Sequence, residues 1–149
     1  MQIRTVQRDD IETLFNIRTS VVENYQPREE IAALGITPDS VAIMLDTDCC
    51  GWIAELEGRA IAFSMANATE RTILGVFVLP DYEERGAGRA VMEAAEKWFW
   101  DQDIDEIWLV TGNDPSLRAY GFYQHLGWVA VGVEGAGDFA GEMKFIKKR

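Results

Sequence analysis

Apolar and polar residues interleave from Gln2 to Gln7, with Ile3 and Val6 set against Arg4 and Gln7, which predicts a first strand. The period then lengthens. Ile11, Leu14, Phe15, Ile17, Val21 and Val22 form an apolar stripe behind a cap at Asp9 or Asp10, predicting a helix to about Glu23. Two shorter helical pieces follow, Arg28 to Leu34 stopped by Gly35, and Asp39 to Leu45 opened by Thr37-Pro38. From Cys49 the pattern becomes strand-like. Trp52 to Leu56 and Ala60 to Ala68 are joined at a Glu57-Gly58 turn, and Thr72 to Leu79 ends at Pro80. Gly75 inside that last strand predicts a bulge or a close backbone approach. Helical spacing returns from about Gly86 to Gln102, with Val91, Ala94, Ala95, Trp98 and Phe99 apolar. A strand at Glu106 to Thr111, a helix from Pro115 and Ser116 to Leu126, and strands at Val129 to Glu134 and Met143 to Lys147 complete the chain.

No linker or repeat divides this sequence, so residues 1–149 read as one α+β domain with a mixed sheet. A hydrophobic share of 48% suits a packed core, and no run approaches the ~20 apolar residues of a membrane span. Nor do the first residues resemble a secretory leader, so a cytoplasmic protein without a membrane partner is expected. Adjacent Cys49 and Cys50 are poorly placed to pair with each other, and with a single histidine, His125, they offer no metal site. They read as small buried residues opening a strand. A net charge of −11 argues against nucleic acid, whose phosphates need a positive partner. It serves solubility first, and is compatible with a cationic amine as substrate.

The chemistry concentrates in one strand–turn–helix segment: Val76 to Pro80, then Asp81 to Glu84, then Arg85-Gly86-Ala87-Gly88-Arg89-Ala90. Two glycines at a helix start let the backbone approach a ligand closely, with free amides and the helix dipole directed at phosphate oxygens. Arg85 and Arg89 add local positive charge. A Rossmann loop does not fit, since Val91 stands where a small residue is needed and at least three strands come first. A Walker loop needs Gly-Lys-Ser/Thr, which is absent.

The segment resembles motif A of the GNAT acetyltransferases, Gln/Arg-x-x-Gly-x-Gly/Ala after the fourth strand. Downstream, Ala119-Tyr120-Gly121-Phe122-Tyr123-Gln124-His125-Leu126-Gly127-Trp128 is similar to the family's motif B, Ala-x-x-Phe-Tyr-x-x-x-Gly-Phe. The resemblance implies the GNAT fold: a mixed six- or seven-stranded sheet with helices on both faces. It implies acetyl-CoA as co-substrate, no metal, a primary amine of a small molecule, polyamine or peptide as acceptor, and possible dimers. Amides from Glu84 through Arg85, Gly86, Ala87, Gly88 and Arg89 to Ala90 would hold the coenzyme's pyrophosphate. Val76, Phe77 and Val78 would pair with its pantetheine arm, with an amide near Val78 polarising the thioester carbonyl. Tyr123 stands where many relatives keep a tyrosine that protonates the leaving thiolate, a role suited to a phenol of pKa about 10.

Other positions are expected to contribute less. Glu70, before the fourth strand, could deprotonate the acceptor, though it also reads as an ordinary turn residue. Glu23, Asn24 and Tyr25 end the first helix, where relatives line the acceptor site. Three positions depart from the family pattern. Glu83 replaces Gln or Arg, Ser116 replaces an asparagine that contacts the cofactor, and Thr111 stands where enzymes acting on protein N-termini often carry a base glutamate. These departures support an alternative, a GNAT-like module that binds acyl-CoA without turning it over.

Overall fold

A computed structural model describes all 149 residues. Seven strands form one mixed sheet: β1 (Gln2–Thr5), β2 (Cys49–Leu56), β3 (Arg59–Asn67), β4 (Thr72–Val78), β5 (Glu106–Thr111), β6 (Val129–Val133) and β7 (Met143–Lys148). Their spatial order is β1-β2-β3-β4-β5-β7-β6, and only β4 and β5 run parallel. A parallel neighbour requires a crossover, supplied by helix α4 (Ala87–Trp100). Helices α1 (Ile11–Arg18), α2 (Arg28–Ala33) and α3 (Pro38–Asp46) precede β2, and α5 (Arg118–His125) links β5 to β6.

Alternation along β2 and β3 divides the core in two. Ile53, Phe63 and Met65 face a cluster with Leu14, Phe15, Ile17, Ile31 and Val41 from α1–α3. Trp52, Ala54, Ala62 and Ala66 face α4 and α5, packing with Val91, Met92, Ala95, Phe99, Tyr120 and Phe145. Helices therefore cover both faces, as expected. Small residues on β3 let α4 approach until the buried Ser64 hydroxyl donates to Val91 O at 2.8 Å. Cys49 and Cys50 open β2 as free thiols, one buried and one half-buried. The Glu57-Gly58 turn forms with both residues at positive φ. The β3–β4 register shifts between Met65 and Ala66, which leaves Leu74 as an extra residue beside Gly75: the expected bulge. No helix is long and apolar enough to cross a membrane.

Two helices start or stop elsewhere than their patterns suggest. α1 ends at Arg18 rather than near Glu23, because Thr19 Oγ donates to Phe15 O (2.8 Å) and Ser20 Oγ to Asn16 O (2.6 Å). Asn16 O, which a further helical turn would offer to Ser20 N, thus goes to a hydroxyl, and Ser20 N turns to Ile17 O at 3.0 Å. Glu23, Asn24 and Tyr25 consequently lie on an exposed α1–α2 loop, with Asn24 turned at φ 58°. α5 begins at Arg118 rather than at Pro115 and Ser116. Asp114 Oδ1 accepts from both the amide (2.9 Å) and the hydroxyl (2.7 Å) of Ser116, and that local turn delays the helix.

Candidate active site

β4 and β5 share a register pair only at Thr72–Trp108. This point is pinned twice, by Thr72 Oγ1 donating to Trp108 O (2.8 Å) and Trp108 Nε1 donating to Glu70 O (2.9 Å). Beyond it the parallel strands diverge and a gap opens toward the β4–α4 loop. Leu79 N donates to Ile61 O on β3 at 2.8 Å. Because strand amides alternate sides, Phe77 faces β3 too, whereas the amides of Val76 and Val78 point into the gap.

At the open end the chain turns through Pro80–Tyr82 into α4. Gly86 adopts φ 82° and no side chain caps the helix. Every amide from Glu84 to Arg89 donates to no group of the protein, whereas Ala90 N is taken by Gly86 O at 3.0 Å. Ala90 thus leaves the set of amides expected to hold the pyrophosphate. Such a run of outward amides at the positive end of a 14-residue helix suits phosphate oxygens. A Cβ on Gly88 would lie 3.2 Å from Val78 Cγ2 and 3.4 Å from the Phe122 ring, so the helix start is tucked against both β4 and α5. Arg59 (5.3 Å) and Arg85 (5.7 Å) both lie against the Tyr82 ring, setting two cations beside the loop. Arg89 instead pairs with Glu93 at 2.8 Å.

The model of the acetyltransferase (GNAT) family matches residues 9–128. The chain belongs to the GNAT acetyltransferase family. Similar solved structures include a PaiA N-acetyltransferase from Thermoplasma acidophilum in complex with coenzyme A, with TM-score 0.82, 18% identity and all of both chains covered. A ribosomal-protein-alanine N-acetyltransferase from Brucella melitensis gives 0.78 at 15% identity, again over all of both chains. A chimaeric spermidine N-acetyltransferase from Vibrio cholerae gives 0.72 at 14% identity, over 99% of this chain and 94% of that one. At these identities the likeness concerns the fold. No curated protein matches the sequence.

In this GNAT domain Tyr123 sits on the buried face of α5, its ring against Phe122 (5.4 Å), Phe145 (5.9 Å) and Trp128 (6.3 Å). Its hydroxyl makes no hydrogen bond within the protein and is not sealed from solvent, while burial of the ring pushes its pKa up to about 12. Ser116 lies just before α5, where its hydroxyl donates its proton to Asp114 Oδ1 and keeps only its acceptor lone pairs for another partner. Glu70 is exposed on the turn at the closed end of the gap, where its backbone carbonyl fixes Trp108 and its carboxylate forms no ion pair.

The α1–α2 loop is used in a way its sequence does not announce. Glu23 reaches across to α5, where its carboxylate accepts from Arg118 N at 3.0 Å and caps that helix. Arg118 in turn approaches Glu83 (3.5 Å) and Glu84 (3.6 Å) at the β4–α4 loop. Three segments remote in sequence therefore meet at the mouth of the gap. Arg18, the last residue of α1, is half-buried over the Phe77 ring at 4.6 Å. It donates to Asn24 O (3.2 Å) and Gln26 Oε1 (2.9 Å). One signal for it was available: Ile11, Leu14, Phe15 and Arg18 share a helix face, so a charge interrupts an apolar stripe.

Proposed function

We propose that this protein transfers an acetyl group from acetyl-CoA to a primary amine by direct attack. The observation that carries the reading is the run of unengaged amides from Glu84 to Arg89, standing at the open end of the β4–β5 gap. These amides would hold the pyrophosphate, with Arg59 and Arg85 beside them. Val76 and Val78 would direct their amides at the pantetheine arm and at the thioester carbonyl, with Phe77 between them facing α1. Such donors stabilise negative charge developing on oxygen, an effect typically worth ~10²–10³ in rate for one donor.

Acetyl-CoA supplies the acyl group as a thioester: a C–N bond forms, a C–S bond breaks, the amine gives up one proton and the sulfur ends as thiol. Tyr123 stays protonated until the pH nears 12, so it can offer a hydrogen bond to sulfur at any working pH. A thiol of pKa about 8.5 is a stronger acid than this phenol, so complete proton transfer is uphill. Tyr123 then acts mainly as a donor to the departing sulfur, and solvent can complete the protonation. Glu70 would reach the acceptor only through water, and Glu23, Asn24 and Tyr25 border the acceptor's approach along the α1–α2 loop. Substrate names among the similar structures span spermidine and an alanine of a ribosomal protein, which supports an amine acceptor and does not choose between them.

Calorimetry with acetyl-CoA, followed by free-thiol release across an amine panel, tests this reading. Binding with thiol release is expected. Tight binding with no release across the panel would establish the non-catalytic module, an alternative supported by the acids Glu83 and Glu84 at the phosphate mouth. No binding at all overturns both.

A further inference from the structure

The acceptor class can be narrowed, on the reading that the β4–β5 gap is the acetyl-transfer site. Arg18 carries a charge in a half-buried position and forms no salt bridge, although acids outnumber bases 25 to 14 in this chain. Its contacts are all neutral: Asn24 O, Gln26 Oε1 and the face of Phe77. Glu23, the acid closest in the loop, is turned away to cap α5. Glu12 on the same helix is taken by Arg28 at 2.7 Å. Two bonds occupy only part of a guanidinium that has five donors, so Arg18 can accept a bidentate partner. Burial without a counter-charge is costly for a cation, here enough to lower the guanidinium's pKa.

Its location gives that cation a purpose. Phe77 lies between Val76 and Val78, whose amides point into the gap, so Arg18 stands over the strand segment proposed to hold the reacting carbonyl. It does so from the α1 face of the sheet, whereas α4, which offers the phosphate loop, packs on the other face. The rim of the gap on Arg18's side is the α1–α2 loop that its own hydrogen bonds hold in place. We infer that Arg18 is an acceptor-binding residue that recognises a carboxylate on the substrate, so that the preferred acceptor is a zwitterionic amine such as an amino acid or a short peptide with a free C-terminus. The ammonium end of such a molecule is favoured by the acidic surface, and the carboxylate end finds the one half-buried arginine without an acidic partner.

The test compares matched acceptors: α- and ω-amino acids, their carboxamides, and spermidine, with thiol release as the readout. For the wild-type chain the carboxylates should exceed their carboxamides by about 10- to 100-fold in kcat/KM, the scale of a charge-assisted bidentate contact. Arg18→Met keeps the stem that covers Phe77 and should erase that preference while leaving the KM for acetyl-CoA unchanged. Arg18→Lys should restore part of it. Equal or better turnover of carboxamides or spermidine by the wild type overturns the inference, as does a preference that survives in Arg18→Met. A loss confined to acetyl-CoA affinity would assign Arg18 to the coenzyme and overturn it too. If Arg18→Met does not fold, Arg18→Lys decides, since a carboxylate preference undiminished in that variant overturns the inference. If no acceptor releases thiol, calorimetry of an amino acid and its carboxamide against the coenzyme A complex still decides. Selective carboxylate binding that Arg18→Lys weakens upholds the site even as the transferase reading fails, and its absence sinks both.

Discussion

Glu84 shows how far one residue can depart from what its loop asks. It holds φ 65° in the turn before Gly86, a left-handed conformation that costs a non-glycine residue about 1–2 kcal/mol, and its carboxylate stands at the mouth proposed to take phosphates. Glu84→Gly should therefore raise stability by about 1 kcal/mol and tighten acetyl-CoA binding severalfold, read by thermal melting and by calorimetry. Weaker binding would mean that the Glu84–Arg118 contact organises the loop rather than obstructing it. Tyr123→Phe removes one hydroxyl without disturbing the packing, and should lower kcat by about 10- to 100-fold at unchanged acetyl-CoA KM. The pH dependence follows from the raised pKa. Activity rises as the acceptor amine deprotonates and shows no Tyr123-linked loss until the pH climbs toward 12. The same shift adds stability below the unfolded phenol's pKa near 10, and that contribution is lost as pH rises through 12. At this scale the sequence was informative wherever a residue's role depends on near neighbours. The Gly86–Gly88 pair could be read from its place at a helix start, whereas Tyr123 came only through the motif resemblance. Glu23 capping α5 and Arg118 meeting Glu83 could not be read, since each joins residues brought together only by the finished sheet.

Element by element, the strands and the long helix were legible because burial imposes a period on them. α4 packs its apolar stripe on β2–β4 with the spacing its sequence shows. The ends of α1 and α5 were not legible, because hydroxyl and carboxylate side chains there compete with the backbone for the same donors and carbonyls. Also hidden was the way α4 is tied to β7. Glu96, buried on α4, accepts from Trp128 Nε1 (3.0 Å) and from Lys147 Nζ (2.8 Å), and Lys147 also donates to Leu126 O (2.9 Å). Breaking a buried pair leaves an uncompensated charge, which costs about 3–5 kcal/mol. Glu96→Ala should thus lower the melting temperature by roughly 10 °C in a chain of this size. Lys147→Met should do similar harm, and pairing it with Glu96→Leu should recover much of the loss. Independent, additive losses in the double variant would show that the two side chains do not act as one unit.

For the molecule as a whole, the sheet order explains why a gap exists at all. Five antiparallel neighbour pairs can be zipped along their length, whereas β4 and β5, the one parallel pair, are joined through α4 and meet at a single pinned pair. That opening depends on topology, which hydrophobic period alone does not encode, and the motif resemblance supplied it at the sequence level. Net charge is the other whole-molecule property with a consequence. At −11 the protein repels any polyphosphate at long range, while Arg59 and Arg85 attract it near the loop. The two effects differ in reach. The Debye length falls from about 30 Å at 0.01 M salt to about 8 Å at 0.15 M, so added salt removes the distant repulsion before it weakens the close contacts. Acetyl-CoA association, followed by stopped flow, should accordingly speed up a few-fold between those concentrations and slow only at higher salt. A monotonic fall from the lowest salt upward would mean that the local cations govern the approach, and that the acidic surface lies too far from the gap to matter.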